Sequence, residues 1–162
     1  MSKPKILLAD SHPAIRSALG SLLKGLGEVV AAVEDGTALL EAAQSLKPDI
    51  VFTDISIPKL NGFEVARALR RSVPQCKVII LTAHQEPAYV TLALEAGVCG
   101  YLLKRTSLMA ELPQAIMHVL AGDRYLGLGV REKRLAVEGE EGQNYPFEHR
   151  GAAGLPKRVF MR

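Results

Sequence analysis

From Lys5 to about Tyr125, short apolar runs alternate with longer stretches in which apolar residues recur every three or four positions. The runs are residues 6–9 (Ile-Leu-Leu-Ala), 29–33 (Val-Val-Ala-Ala-Val), 50–52 (Ile-Val-Phe), 78–81 (Val-Ile-Ile-Leu) and 101–103 (Tyr-Leu-Leu). Most are rich in β-branched side chains, which fits strands buried on both faces of a sheet. Between them, Ile15, Leu19, Leu22, Leu23 and Leu26 keep a helical spacing, as do Leu39, Leu40, Ala43 and Leu46. Phe63, Ala66 and Leu69 follow the same rule, then Val90, Ala93 and Leu94, then Leu108, Leu112, Ala115, Ile116, Val119 and Leu120. Each set forms one apolar face of an amphipathic helix.

Punctuation residues separate these stretches. Residues 35–37 (Asp-Gly-Thr) read as a turn followed by an N-cap. Residues 47–49 (Lys-Pro-Asp) end one helix and lead into a strand. Gly97 offers a C-cap before the fifth strand, and Pro113 falls in the first turns of the last helix. Five consecutive βα units predict a doubly wound parallel sheet, with helices on both faces and right-handed crossovers.

Composition narrows the class. Apolar residues make up 48% and charged residues 23% of the 162 positions, which suits a packed core. A formal charge of +3 is too small to imply a nucleic-acid or membrane surface. No apolar run approaches the roughly 20 residues that span a bilayer, and the run after Lys5 is too short for a signal peptide, so a cytoplasmic protein is expected. Cys76 and Cys99 lack a CxxC spacing and read as reduced thiols packed beside strands. Residues 1–126 form the expected domain. Residues 127–162 are glycine-rich, with seven Lys/Arg against five Asp/Glu. They are expected to be a largely disordered tail with one short helix within 130–137.

Ligands of a parallel sheet bind outside the carboxyl ends of its strands. Asp10 and Ser11 follow the first strand, Asp54 the third, Thr82 ends the fourth and Lys104 the fifth. Two acids, a hydroxyl and an ammonium thus converge on one edge. A carboxylate is ionised near neutral pH and can attack phosphorus, which makes Asp54 a candidate nucleophile. The phosphoryl oxygens need positive partners. Lys104 supplies one, and a divalent cation held by Asp10 and Asp54 would supply another. The Thr82 hydroxyl can donate to a phosphoryl oxygen. His12, His84 and His118 fit no ligand spacing and read as surface or capping residues.

Residues 6–13 (Ile-Leu-Leu-Ala-Asp-Ser-His-Pro) resemble the opening of NarL/FixJ-type response-regulator receiver domains. Residues 54–58 (Asp-Ile-Ser-Ile-Pro) with Asn61-Gly62 look like the family's phosphorylation strand and loop. Residues 81–83 (Leu-Thr-Ala) and 100–104 (Gly-Tyr-Leu-Leu-Lys) look like its switch and lysine strands. The resemblance implies a flavodoxin-like fold of five parallel strands in the order 2-1-3-4-5 with five helices. It implies no enzyme activity but phosphotransfer from a sensor histidine kinase or phosphotransfer protein, Mg²⁺ dependence and control of a downstream output. By position, Asp54 is the phosphoacceptor, Thr82 and Lys104 read the phosphoryl group, Tyr101 is the switching aromatic, and Ser56 offers a backbone carbonyl to the metal. A homodimer is admissible, and no membrane contact is expected.

Three departures qualify the resemblance. The family places a second acid, its direct metal ligand, where this chain has Ser11, a weaker Mg²⁺ donor. That predicts weak metal binding and leaves a pseudo-receiver, acting without phosphorylation, as the alternative. Arg105 follows the lysine where many members carry proline. The tail holds no complete helix-turn-helix module, so DNA binding by this chain is not expected. A haloacid-dehalogenase-like phosphatase would want a second acid at Ser56, and an FMN binder would not place Asp10 in its phosphate loop.

Overall fold

The computed structural model describes residues 2–105, 107–132 and 159–160. The strands are β1 (Lys5–Ala9), β2 (Glu28–Val33), β3 (Ile50–Thr53), β4 (Lys77–Thr82), β5 (Gly100–Leu103), β6 (Arg124–Leu126) and β7 (Val159–Phe160). The helices are α1 (Pro13–Lys24), α2 (Gly36–Leu46), α3 (Gly62–Ser72), α4 (Pro87–Glu95) and α5 (Leu108–Leu120). A further helical turn spans 128–132. All pairings are parallel, in the order β2-β1-β3-β4-β5-β6-β7.

The sheet separates two apolar layers. On one face, side chains of β1, β3 and β4 pack with Leu39 and Ala43 of α2, Phe63 and Leu69 of α3, and Val90 and Leu94 of α4. On the other, Ile6, Phe52, Ile79 and Leu102 pack with Leu19 and Leu23 of α1 and Leu112 and Val119 of α5. Both faces of β1, β3, β4 and β5 are therefore covered, which is why those strands are continuous apolar runs.

The doubly wound fold and the expected order of the first five strands are observed, with four differences. The sheet runs two strands beyond β5, since β6 pairs with β5 and β7 with β6. β2 is an edge strand, and none of its residues is fully buried, although its sequence is as apolar as the central strands. Asp35 is itself the N-cap of α2, its carboxylate accepting the Ala38 N–H at 2.8 Å. Pro113 stands in the second turn of α5, so the Met109 carbonyl loses its helical partner.

Packing also continues past position 127. Val130 and Arg131 of the helical turn are buried, so the tail expected from 127 onward starts as part of the packed unit. Residues 133–158, which carry most of the expected disorder and the end of the expected 130–137 helix, lie outside the described residues.

Candidate functional site

Asp10 stands one residue past β1, where its N–H still donates to the Val33 carbonyl of β2 at 3.1 Å. Its carboxylate is almost wholly buried, 1% exposed. Oδ1 accepts the His12 N–H at 2.9 Å and lies 3.3 Å from His12 Nδ1, while its carbonyl accepts Arg16 Nη1 at 2.7 Å. The hairpin from β1 into α1 thus folds back on this one acid.

Asp54 stands one residue past β3. Its Oδ1 accepts the Ile55 N–H at 2.7 Å, and its carbonyl accepts the Thr53 hydroxyl at 3.0 Å. The loop behind it is closed by the Gly62 N–H donating to Ile55 at 2.9 Å. Only glycine fits there, because a Cβ on Gly62 would lie 2.6 Å from the Asp54 carbonyl oxygen. Asn61 and Glu64 form a reciprocal capping box at the start of α3, which fixes the far end of the loop.

Lys104 joins the two acids. The backbone N–H of Lys104 donates to the Thr82 carbonyl, so it continues the β4–β5 ladder. Its Nζ donates to Asp10 Oδ2 at 2.5 Å and Asp54 Oδ2 at 2.7 Å. These are charge-assisted bonds with little water around them. Burial alone would push the Asp10 carboxyl up, but the bonds from Lys104 and His12 outweigh it and hold the acid below its ordinary value. Burial would likewise lower the Lys104 ammonium, and the two carboxylates raise it instead.

The other expected residues take different places. Thr82 is fully buried, and its hydroxyl oxygen accepts the His84 N–H at 3.2 Å. Tyr101 is fully buried and donates its hydroxyl to the His84 carbonyl at 2.6 Å. Burial, with Glu86 and Asp54 nearby, pushes that phenol above its ordinary range, so it remains a donor. Ser11 is half-exposed beside Asp10, and Ser56 is exposed two residues beyond Asp54. Both belong to loops flanking the Asp10–Lys104–Asp54 cluster. Among the described residues, no three acidic, histidine or cysteine side chains are grouped to hold a metal. Two carboxylates converging on one point still fit a Mg²⁺ ion that completes its shell with water and phosphate oxygens.

Three further participants were not among the expected site residues. His84 links Thr82 and Tyr101 through its backbone N–H and carbonyl, atoms every residue possesses, while its ring stacks on Tyr89 at 4.5 Å. Arg16 and His12 reach Asp10 only because α1 begins immediately after it; their closeness in sequence was the available signal.

The response regulator receiver domain family model matches residues 6–117. Response regulator GacA of Pseudomonas syringae pv. syringae is 35% identical over 148 residues, covering 89% of this chain and 68% of the relative. Transcriptional regulatory protein DegU of Brevibacillus brevis is 36% identical over 127 residues, covering 77% of this chain and 53% of the relative. Among solved structures, the signal receiver domain of the putative response regulator NarL from Mycobacterium tuberculosis is 33% identical with a TM-score of 0.71, covering 75% of this chain and 99% of that one. The fold, the strand-end acids with their lysine and these likenesses agree, and the chain belongs to the response-regulator receiver family of two-component signalling, of the NarL/LuxR type.

Proposed function

We propose that Asp54 accepts a phosphoryl group from a phosphohistidine of a sensor kinase or phosphotransfer protein. The observation that carries this is a difference in access: the Asp54 side chain is 15% exposed and Asp10 only 1%, although both bind the same ammonium. An Asp54 carboxylate oxygen attacks phosphorus and the P–N bond to the donor histidine breaks. The histidine leaves as a neutral imidazole once it has a proton, and an acyl phosphate remains on Asp54. Lys104 then exchanges its carboxylate contact for a phosphoryl oxygen. Thr82 turns its hydroxyl from His84 toward the same group, and the Tyr101–His84 bond is the contact that the rearrangement loosens.

Asp10, Asp54 and the Ser56 carbonyl would hold Mg²⁺, with Ser11 a weak neutral donor. When bound, the cation shields the negative charge that gathers on the phosphoryl oxygens. Lys104 already donates to both carboxylates and offsets one of their two negative charges, so the cation competes with it for the same oxygens. Ser11→Asp is expected to tighten Mg²⁺ binding in a titration followed by tyrosine fluorescence, the chain having four tyrosines and no tryptophan. Equal or weaker binding in the variant refutes the role given to Ser11.

The decisive experiment is incubation with acetyl phosphate and Mg²⁺, followed by mass mapping. A gain of one phosphoryl group at Asp54, lost in Asp54→Asn, is the expected result. Modification at Asp10, Ser11 or a histidine instead would overturn the assignment. The switch is read as acting through protein contacts, with a second copy of the chain among the candidates. Met109, Met117 and Leu120 are large exposed apolar residues along α5. Sedimentation before and after phosphorylation tests self-association. A salt-sensitive gel shift on DNA would contradict the protein-contact reading.

A further inference from the structure

The tip of Lys104 is fixed by two acids, but its backbone opens the connection from β5 to α5, and that connection is tied at a second point. Glu111, in the first turn of α5, is 5% exposed. Its two carboxylate oxygens serve opposite directions. Oε1 accepts the Ser107 hydroxyl at 3.0 Å, at the start of α5 and three residues beyond Lys104. Oε2 accepts the Leu128 N–H at 3.1 Å, at the head of the 128–132 helical turn. The same segment meets the connection again through Arg105, the residue after Lys104. A Cβ on Gly129 would stand 2.1 Å from the Arg105 guanidinium, so glycine leaves the space that Arg105 occupies.

The helical turn is held from its other side as well. Arg131 is buried with its guanidinium 5.6 Å above the Tyr125 ring, and Tyr125 interacts with both Glu111 and Arg131. A cavity of about 260 Å³ remains, lined by Ser107, Glu111, Gln114, Tyr125, Leu128 and Arg131. The clamp is therefore made of a few directional polar contacts around open space. An arrangement of that kind can shift by breaking single bonds, which a close-packed apolar contact cannot.

We propose that Glu111 is a positioning residue for Lys104: by holding Ser107 and Leu128 together it sets the β5–α5 connection, and it makes the chain after β6 part of the unit that responds when Lys104 moves. The functional weight of this link rests on Lys104 being the phosphoryl partner; the link itself does not. Coupling of this sort is reciprocal, so loosening Glu111 must free Lys104, and removing the Lys104 ammonium must alter the hold on Leu128.

The test uses the full, unphosphorylated chain, so its outcome is independent of whether Asp54 accepts phosphate. Lysines are labelled with trace acetic anhydride, and Lys104 acetylation is read by mass spectrometry relative to Lys24 and Lys77 in the same sample. Glu111→Ala is expected to raise the Lys104 ratio by roughly threefold or more, the scale of coupling between neighbouring groups. Glu111→Gln keeps one acceptor oxygen and should restore most of the wild-type ratio. Gly129→Ala, which displaces Arg105 without touching Glu111, should move the ratio in the same direction and keeps the test decisive should Glu111→Ala fail to fold. Conversely, Lys104→Ala should change hydrogen exchange at the Leu128 amide relative to that of Leu23 in the core. An unchanged Lys104 ratio in the folded Glu111 and Gly129 variants overturns the proposal, as does an unchanged Leu128 amide in Lys104→Ala.

Discussion

Asp10 gives the site a pH signature on the acid side. Its folded value lies below the ordinary 3.8, so the stability it contributes is complete above 3.8 and is lost as the pH falls through the lowered value. Lys104 is the mirror case. Its folded value lies above 10.5, so its contribution is complete below 10.5 and is lost as the pH rises through the raised value. The site is thus expected to hold evenly between those limits. Asp10→Asn should flatten the acid limb of a melting-temperature profile and, by removing one of the two carboxylates that raise Lys104, move the alkaline loss to lower pH. A variant with the wild-type acid limb would show that the acid sensitivity arises elsewhere. The two thiols offer a second residue-level check. Both are free, and burial pushes Cys76 up to about 12 while Cys99 is half-exposed. A thiol reagent at neutral pH should therefore modify Cys99 first and Cys76 only on unfolding. Equal rates in the folded protein would contradict the burial of Cys76 just before β4.

At the scale of elements, the loop from Asp54 to α3 is tied at several points. It is shut by the Gly62–Ile55 bond, capped by Asn61 and Glu64, and wedged under the Asp54 carbonyl. Asn61→Ala removes the acceptor for the Glu64 N–H and should cost about 1 kcal/mol. That corresponds to a fall of roughly 2–4 °C in melting temperature for a chain of this size. Gly62→Ala should cost more, because the added methyl meets backbone rather than a movable side chain. Its effect should also extend to Asp54, so phosphorylation by acetyl phosphate should slow in Gly62→Ala and stay near wild type in Asn61→Ala. The reverse order would mean that the cap, and not the glycine, holds Asp54 in place.

For the whole molecule, the question is where the packed unit ends. Val130 is buried in the same apolar layer as Tyr101, Leu103 and Leu126, Arg131 is buried over Tyr125, and Leu128 satisfies a Glu111 oxygen. Truncation after Leu126 strips away these contacts. It should cost about 2 kcal/mol or more, since burying one valine side chain alone is worth about that much. Truncation after Glu132 keeps all of them and gives up only the two-residue β7 of the described structure. It should leave the melting temperature within a few degrees of wild type. Urea midpoints of the two truncations decide between these limits. Equal stability would mean that the 128–132 turn adds nothing to the domain.

The sequence by itself determined the alternation of strands and helices, because apolar runs and three-to-four spacings are local patterns that backbone geometry imposes. It also determined which residues end the strands, and hence the candidate group Asp10, Asp54, Thr82 and Lys104. The tertiary structure alone decided how these residues are placed against one another. Lys104 lies 94 positions from Asp10 and 50 from Asp54, and only the sheet order brings one ammonium to both. Burial of Asp10 and the partial exposure of Asp54 are likewise properties of the assembled edge, not of an aspartate following an apolar run. β6 spans three residues and opens with an arginine, too short for a periodic signal; its register with β5 makes it a strand. Glu111 reads as an ordinary first-turn acid of α5 until the returning chain sets Leu128 against it. His84 contributes backbone atoms, which carry no residue identity, so its role became visible only when Thr82 and Tyr101 closed around it.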